Sequence, residues 1–309
     1  MDYDFIQKTV EDSRRLALDC LHQGKLADYI PELTKADSNA MGVCLLSCDG
    51  DYFCAGDVET AFTIQSISKV LALIAALQSH GFDEVFSRVG MEPTGDPFNS
   101  FMKLETTSHI PFNPFINAGA FIITSILANN MVFDEVLELA SELFGAKVSV
   151  NEDVYISEQK SGLRNRSMAY LLSSKGMLSE NVEQYLDYYF RLCAIEVNAK
   201  QLAHMGLILA FNGKSPLSGR KIADDCIIKI AKTLMLTCGM YDGSGEFAVS
   251  AGVPAKSGVG GGIVASSQHR FGIGTFGPAL DAKGNSIGGI RAIYSLSDAL
   301  GLHMFSGRG

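Results

Sequence analysis

Phe62-Thr63-Ile64-Gln65-Ser66-Ile67-Ser68-Lys69-Val70-Leu71-Ala72-Leu73-Ile74-Ala75-Ala76-Leu77 is where the chain changes character. Ala61 to Ile64 is β-rich, whereas Val70, Leu73, Ile74 and Leu77 recur at helical spacing until Gly81 closes the segment. Upstream, Gly42 to Gly56 holds two short apolar runs around Asp49-Gly50, which predicts a hairpin with a two-residue turn. Downstream, periodicity predicts helices near Asn117–Asn129, Phe133–Leu143, Asn165–Lys175, Val182–Ile195, Asn198–Phe211 and Arg220–Leu236. After Tyr241 the pattern reverts. Gly260–Ser266 and Phe271–Phe276 read as strands, Asp281–Asn285 as a turn, Ile287–Tyr294 as a third strand, and a last helix starts at Ser297. The expected class is α+β: one antiparallel sheet built from both chain ends, with a mostly helical second lobe between them. We expect a single unit over 1–309, its sheet lobe about 1–64 plus 240–309 and its helical lobe about 65–239. A cleft between the lobes is the expected ligand site.

Ser66 and Lys69 form an S-x-x-K pattern at the head of the helix quoted above. Residues three apart on a helix share a face, so the amine reaches the hydroxyl within one turn. A serine hydroxyl is a poor nucleophile until a base takes its proton. A lysine amine is a base only when neutral, which burial or a nearby cation achieves. Ser68 is the neighbouring rival, but the residue three further on is Leu71. Alone, the pattern reads equally as a helix cap and a solvated lysine. Lys256-Ser257-Gly258, followed by Val259-Gly260-Gly261-Gly262, is the second signal. Serine enzymes with S-x-x-K carry a downstream K-T-G on a strand facing the serine, and K-S-G is its near equivalent. Glycines let that backbone approach a ligand, and a strand N–H there completes an oxyanion hole, worth ~3 kcal/mol. Lys256 is expected to be the cation that keeps Lys69 neutral.

Composition works by exclusion. A net charge of -9 and a pI near 5.2 disfavour nucleic acid and anionic lipid as partners. Val70–Leu77 and Phe115–Ala128, the most apolar stretches, are too short to span a bilayer, so no membrane partner is expected. Met1-Asp2-Tyr3-Asp4 shows no basic, apolar leader, which points to the cytoplasm. Seven cysteines, at 20, 44, 48, 54, 193, 226 and 238, include no C-x-x-C, and six histidines include no H-E-x-x-H. We expect buried thiols in a reducing compartment, no metal and no cofactor.

The longer motifs around these residues resemble the serine-dependent glutaminases, a family with a β-lactamase/transpeptidase-like fold. The resemblance covers nearly the whole chain, through Gly24–Leu33, Phe62–Lys69, Glu92–Ser100, Asn113–Ala120, Ser157-Glu158, Arg164-Asn165 and Pro254–Val259. It implies hydrolysis of the side-chain amide of L-glutamine to L-glutamate and ammonia through a γ-glutamyl-serine ester. It also implies a homotetramer built as a dimer of dimers. Carried over by position, it implies a glutamine site of Ser66, Asn117, Glu158, Asn165, Tyr189, Tyr241 and the backbone of Val259, with Tyr29 and Gln65 close by. Ser66, Lys69 and Tyr241 are the implied catalytic groups. Glu158 suits the substrate ammonium, and Asn117, Asn165 and Tyr29 its carboxylate. Tyr241 would relay a proton to departing ammonia. Thr94, Phe115, Phe121 and Ala194 depart from the family pattern, and the two phenylalanines flank Asn117.

Taken singly, each of these residues has an ordinary role. Tyr189 lies on the apolar stripe Val182, Tyr185, Leu186, Tyr189, Phe190, Cys193 and reads as core. Asn117 and Asn165 read as helix openers, Glu158 as a first-turn carboxylate and Tyr241 as a turn residue. A β-lactam-recognising hydrolase would use the same Ser66, Lys69 and Lys256, but no clear S-D-N or Y-x-N is present. A binding module that had lost its chemistry would have no need of Ser66 and Lys69. Asparagine, one methylene shorter, is the nearest rival substrate, disfavoured by only ~1–3 kcal/mol.

Overall fold

A computed structural model describes residues 2–95, 100 and 110–306. Its strands are β1 (Gly42–Ser47), β2 (Tyr52–Gly56), β3 (Phe62–Thr63), β4 (Ser149–Val150), β5 (Ile195–Val197), β6 (Ala255–Ser257), β7 (Gly262–Ser267) and β8 (Phe271–Phe276). Five of them form an antiparallel sheet in the order β2-β1-β8-β7-β6. The β1–β8 pairing joins the two ends of the chain, as the α+β reading requires. A smaller sheet, β3-β5-β4, lies beside it.

The hairpin signal at Asp49-Gly50 marks a real β1–β2 connection, one residue longer than expected. Ser47 N–H donates to Asp51 O at 3.0 Å, so Cys48, Asp49 and Gly50 make a three-residue loop. Gly50, at φ +94°, closes it; a glycine with positive φ at this place is characteristic of three-residue hairpins.

Side chains alternate across a strand, and β1 uses both faces. Val43 and Leu45 pack with Ile6 and Val10 of the helix Tyr3–Leu18 and with Ile293 and Leu296 of the helix Ile287–Leu300. Cys44 and Leu46 belong to the larger core that contains the middle helices. The helix Ala199–Ala210 lies directly on the sheet, and glycines in β8 make room for it. A Cβ on Gly272 would sit 1.9 Å from Ala203 O, and one on Gly274 2.0 Å from Ala199 O.

Helices stand at Asn117–Asn130, Phe133–Phe144, Leu163–Ser174, Val182–Cys193, Ala199–Ala210 and Asp225–Cys238, close to the predicted spans. Three departures have physical causes. Ile287–Tyr294 is not a strand; it begins a helix that runs on to Leu300. Ser286 caps it, accepting from Gly289 N–H at 3.0 Å, and Ile287, Ile290, Ile293 and Leu296 recur every three residues. The Gly288-Gly289 pair serves close packing: a Cβ on Gly289 would lie 2.7 Å from Thr275 Oγ1. Second, Arg220–Asp224 precedes its helix rather than opening it, and Ile195 belongs to β5. Third, the helices Tyr3–Leu18 and Glu152–Ser161 carry no expectation from periodicity. Of the Glu92–Ser100 motif, residues 96–99 lie outside the described residues.

Candidate active site

Ser66 occupies a 3-10 turn, Gln65–Ile67, that runs into the helix Ser68–Arg88. Gln65, immediately before it, has φ +47°, and Tyr241 has φ +55°. Non-glycine residues in that region carry strain and cluster at functional sites. The Tyr241 turn is held by Ser244, whose hydroxyl donates to Tyr241 O at 2.7 Å and accepts from Met240 N–H at 3.0 Å. Burial pushes the Tyr241 phenol pKa up, against a hydrogen bond with the Ser66 side chain that lowers it. The phenol also donates to Ser257 O at 3.2 Å. Thus the two strained residues and Ser66 form one local assembly.

The Asn113–Ala120 motif builds the next wall. Asn113 Oδ1 accepts from Phe115 and Ile116 N–H at 3.0 and 3.2 Å, folding the chain sharply into the helix that Asn117 opens. Asn117 Oδ1 accepts from Lys69 Nζ at 2.7 Å, while its Nδ2 donates to Asn165 Oδ1 at 3.0 Å. Phe115 O takes a second Lys69 donor at 3.2 Å. A chain of hydrogen bonds thus runs from Lys69 through Asn117 to Asn165. Phe121 meets the Tyr189 ring edge-on, 4.9 Å between centroids, so one of the two phenylalanines that depart from the family pattern does reach the pocket wall.

Glu158 lies in the middle of the helix Glu152–Ser161, which Asn151 caps, not in a first turn. Asn165 is the third residue of Leu163–Ser174. Glu158 is buried, and its Oε2 has no hydrogen-bond partner among the described residues. Burial raises its carboxyl pKa to about 8, against the lowering effects of a Gln65 hydrogen bond and the Lys69 charge. Lys69, also buried, has its amine lowered to about 8, and burial is the cause. Lys256 is lowered further, first by burial and then by Lys69. Like charges disfavour one another, so the two amines oppose each other's protonation. The Lys256 amine donates to Ser257 O at 2.7 Å and lies 4.5 Å from the centre of the Tyr241 ring.

Tyr29, Gln65, Ser66, Asn117, Glu158, Asn165 and Tyr189 all line one cavity of about 250 Å³. Half the surface of Tyr29 faces solvent, yet its phenol pKa is pushed well up, first by burial and then by Tyr241 and Glu158. Lys69 and Tyr241 do not line it but bond residues that do, Asn117 and Ser66, and Val259 lies outside it, on a separate cavity of about 390 Å³. The glycines beside Val259 bring its strand turn against the serine turn: a Cβ on Gly258 would meet Ile64 O at 2.3 Å, and one on Gly260 would meet Thr63 O at 2.2 Å. Ile30, Ser161, Gly162 and Arg164 also line the cavity and were not singled out. Arg164 stands beside Asn165 in a quoted motif, so sequence did hold a signal for it. A larger cleft of about 880 Å³, lined by Lys232, Gln268 and Arg270 among others, contains none of the candidate residues.

The fold and this cavity define an α+β protein whose polar side chains converge on one buried serine. A family model described as Glutaminase matches residues 24–305. "Glutaminase 2" of Clostridium perfringens is 47% identical over 98% of this chain and 99% of its own length. The solved structure titled probable glutaminase ybaS superposes with a TM-score of 0.93 at 35% identity, covering 99% of this chain and 100% of that one. A structure of the Bacillus subtilis glutaminase YbgJ gives a TM-score of 0.87 at 38% identity, covering 96% of this chain and 98% of that one. Its title describes a covalent complex with 5-oxo-L-norleucine, formed by reaction with 6-diazo-5-oxo-L-norleucine. The chain belongs to the glutaminase family, and its enzyme class is that of a glutaminase, a hydrolase.

Proposed function

We propose that this chain hydrolyses the side-chain amide of free L-glutamine, with Ser66 as nucleophile. The observation that carries the reading is the shared cavity, which Ser66 and buried Glu158 both line, together with a Glu158 carboxylate oxygen that has no partner among the described residues. A buried carboxylate without a partner is costly, and a substrate ammonium supplies the missing one. The α-carboxylate then falls to Asn117, Asn165 and Tyr29. With the amino-acid end held, the side-chain amide points at Ser66.

Neutral Lys69 takes the Ser66 proton as the oxygen attacks the amide carbon. The backbone N–H groups of Ser66 and Val259 hold the oxyanion. Tyr241, hydrogen-bonded to Ser66, relays the proton that Lys69 took to the leaving nitrogen, so both side chains return to their starting states; ammonia departs and a γ-glutamyl ester remains. Water, deprotonated along the same route, releases glutamate. The covalent complex described for the Bacillus subtilis relative supports an enzyme-bound intermediate. The two-lobed single unit, the cytoplasmic location and the homotetramer belong to the same reading. Among the described residues no single helix is long and apolar enough to cross a membrane.

Ammonia release from L-glutamine and L-asparagine, beside the colour change of nitrocefin on ring opening, tests the substrate. The expected result is glutamine-selective release, with asparagine at least about tenfold poorer for its missing methylene. No release from glutamine would overturn the proposal, and nitrocefin turnover would favour the β-lactam reading.

A further inference from the structure

Cys44 and Cys54 face each other across the β1–β2 pair, in direct register. The hydrogen-bonding pattern fixes what kind of pair they form. Ser47 N–H bonds Asp51 O and Asp57 N–H bonds Met41 O, so the hydrogen-bonded positions are 47/51 and 41/57 and, by alternation, 45/53 and 43/55. Cys44/Cys54 is therefore a non-hydrogen-bonded pair, where opposing Cα atoms come closest, about 4.5 Å. That separation lies within the range a disulfide spans, about 4.4–6.8 Å. The two sulfurs are already 3.0 Å apart. Cys44 is buried, whereas Cys54 is half-buried on the edge strand, where a small solute can reach it. No part of the proposed reaction uses either thiol.

We propose that Cys44 and Cys54 are a redox modification site, a cross-strand dithiol that a hydroperoxide converts to a disulfide. Cys54 attacks the peroxide O–O bond; that bond breaks, Cys54 becomes a sulfenic acid, and the released oxygen leaves as water. Cys44 then attacks the Cys54 sulfur, the S–O bond breaks, and a second water leaves with the Cys44 proton. One hydrogen peroxide is reduced to two waters as two thiols become one S–S bond. The environment supports this order. The contact with Cys44 lowers the Cys54 thiol pKa, against burial and with help from the Lys200 charge, while the same contact and burial raise that of Cys44. The outer thiol is thus the better nucleophile and the inner one the resolving partner.

The test treats the reduced full-length protein with hydrogen peroxide, blocks remaining thiols and maps them by mass spectrometry. No lysine or arginine lies between Lys35 and Lys69, so trypsin leaves Cys44, Cys48 and Cys54 on one peptide; chymotrypsin, cutting after Leu45, Leu46 and Phe53, separates them. Titratable thiols should fall from seven to five, with a Cys44–Cys54 linked peptide. With dimedone present, Cys44→Ala should carry the sulfenic-acid adduct on Cys54, and wild type should not. Cys54→Ala, a change at the half-exposed edge position, should retain all six of its thiols at the dose that closes the wild-type pair. A link through Cys48 would overturn the proposal. So would a dimedone adduct on Cys54 in wild type equal to that in Cys44→Ala, or oxidation of Cys54 no faster than of exposed Cys226.

Discussion

Two buried groups of opposite type meet at the cavity, and each is held near the pH where its charge is lost. Lys69 must be neutral to act as a base, and Glu158 must be ionised to bind an ammonium. Their pKa values, lowered and raised to about 8 respectively, place both deprotonations in one window. As pH falls below about 8, Lys69 gains a proton and Glu158 loses its charge, so kcat/KM should fall and approach a two-proton slope. A profile flat between pH 6 and 9 would contradict these roles. Glu158→Gln removes the charge with little change in volume. Breaking a buried charge pair costs about 2–5 kcal/mol, so KM should rise on the order of 100-fold while kcat changes less, in steady-state kinetics on glutamine. Of these residues, Ser66 and Lys69 were legible from spacing and Lys256-Ser257-Gly258 from pattern. Asn117, Glu158, Asn165, Tyr189 and Tyr241 had ordinary readings as caps, stripes and turns. Only the family resemblance drew them together, because no local pattern records that Asn117 bridges Lys69 to Asn165.

At the scale of elements, the sheet depends on how closely the helix Ala199–Ala210 lies on β8. Gly274→Ala places a methyl 2.0 Å from a backbone carbonyl that has no free rotamer to yield. Overpacking of this kind costs about 1–3 kcal/mol, so the urea midpoint should drop by a margin that equilibrium unfolding resolves. An unchanged midpoint would mean the helix shifts freely. Gly288 and Gly289 show the same physics: the pair lets the helix Ile287–Leu300 lie against Met41, Leu21 and Thr275. The helix Tyr3–Leu18 escaped notice because its buried face includes Thr9, Ser13 and Ala17, small or polar residues that blur the apolar stripe. The long middle helices were legible because their buried faces are continuous Leu, Ile and Val, as in Leu202, Leu207, Ile208 and Leu209.

At the scale of the whole molecule, the site is an assembly of distant segments. Tyr29 precedes the sheet, Ser66 lies in the turn before a core helix, Asn117 and Glu158 come from the helical middle, and all four line one cavity. The β1–β8 pairing closes the chain on itself, and the β6–β7 turn packs against residues 63 and 64 beside the serine turn. The homotetramer, proposed on the family resemblance, predicts a sedimenting species of about four 33.2 kDa chains; a stable monomer would remove it. The central claim is that Ser66 forms the covalent bond to substrate. The most direct measurement is intact-mass and peptide-level mass spectrometry after incubation with 6-diazo-5-oxo-L-norleucine, for wild type and Ser66→Ala. The account predicts one 5-oxo-norleucine adduct per wild-type chain, on Ser66, and none on Ser66→Ala, which also releases no ammonia from glutamine. An adduct on another residue, or equal labelling and turnover in Ser66→Ala, would contradict it.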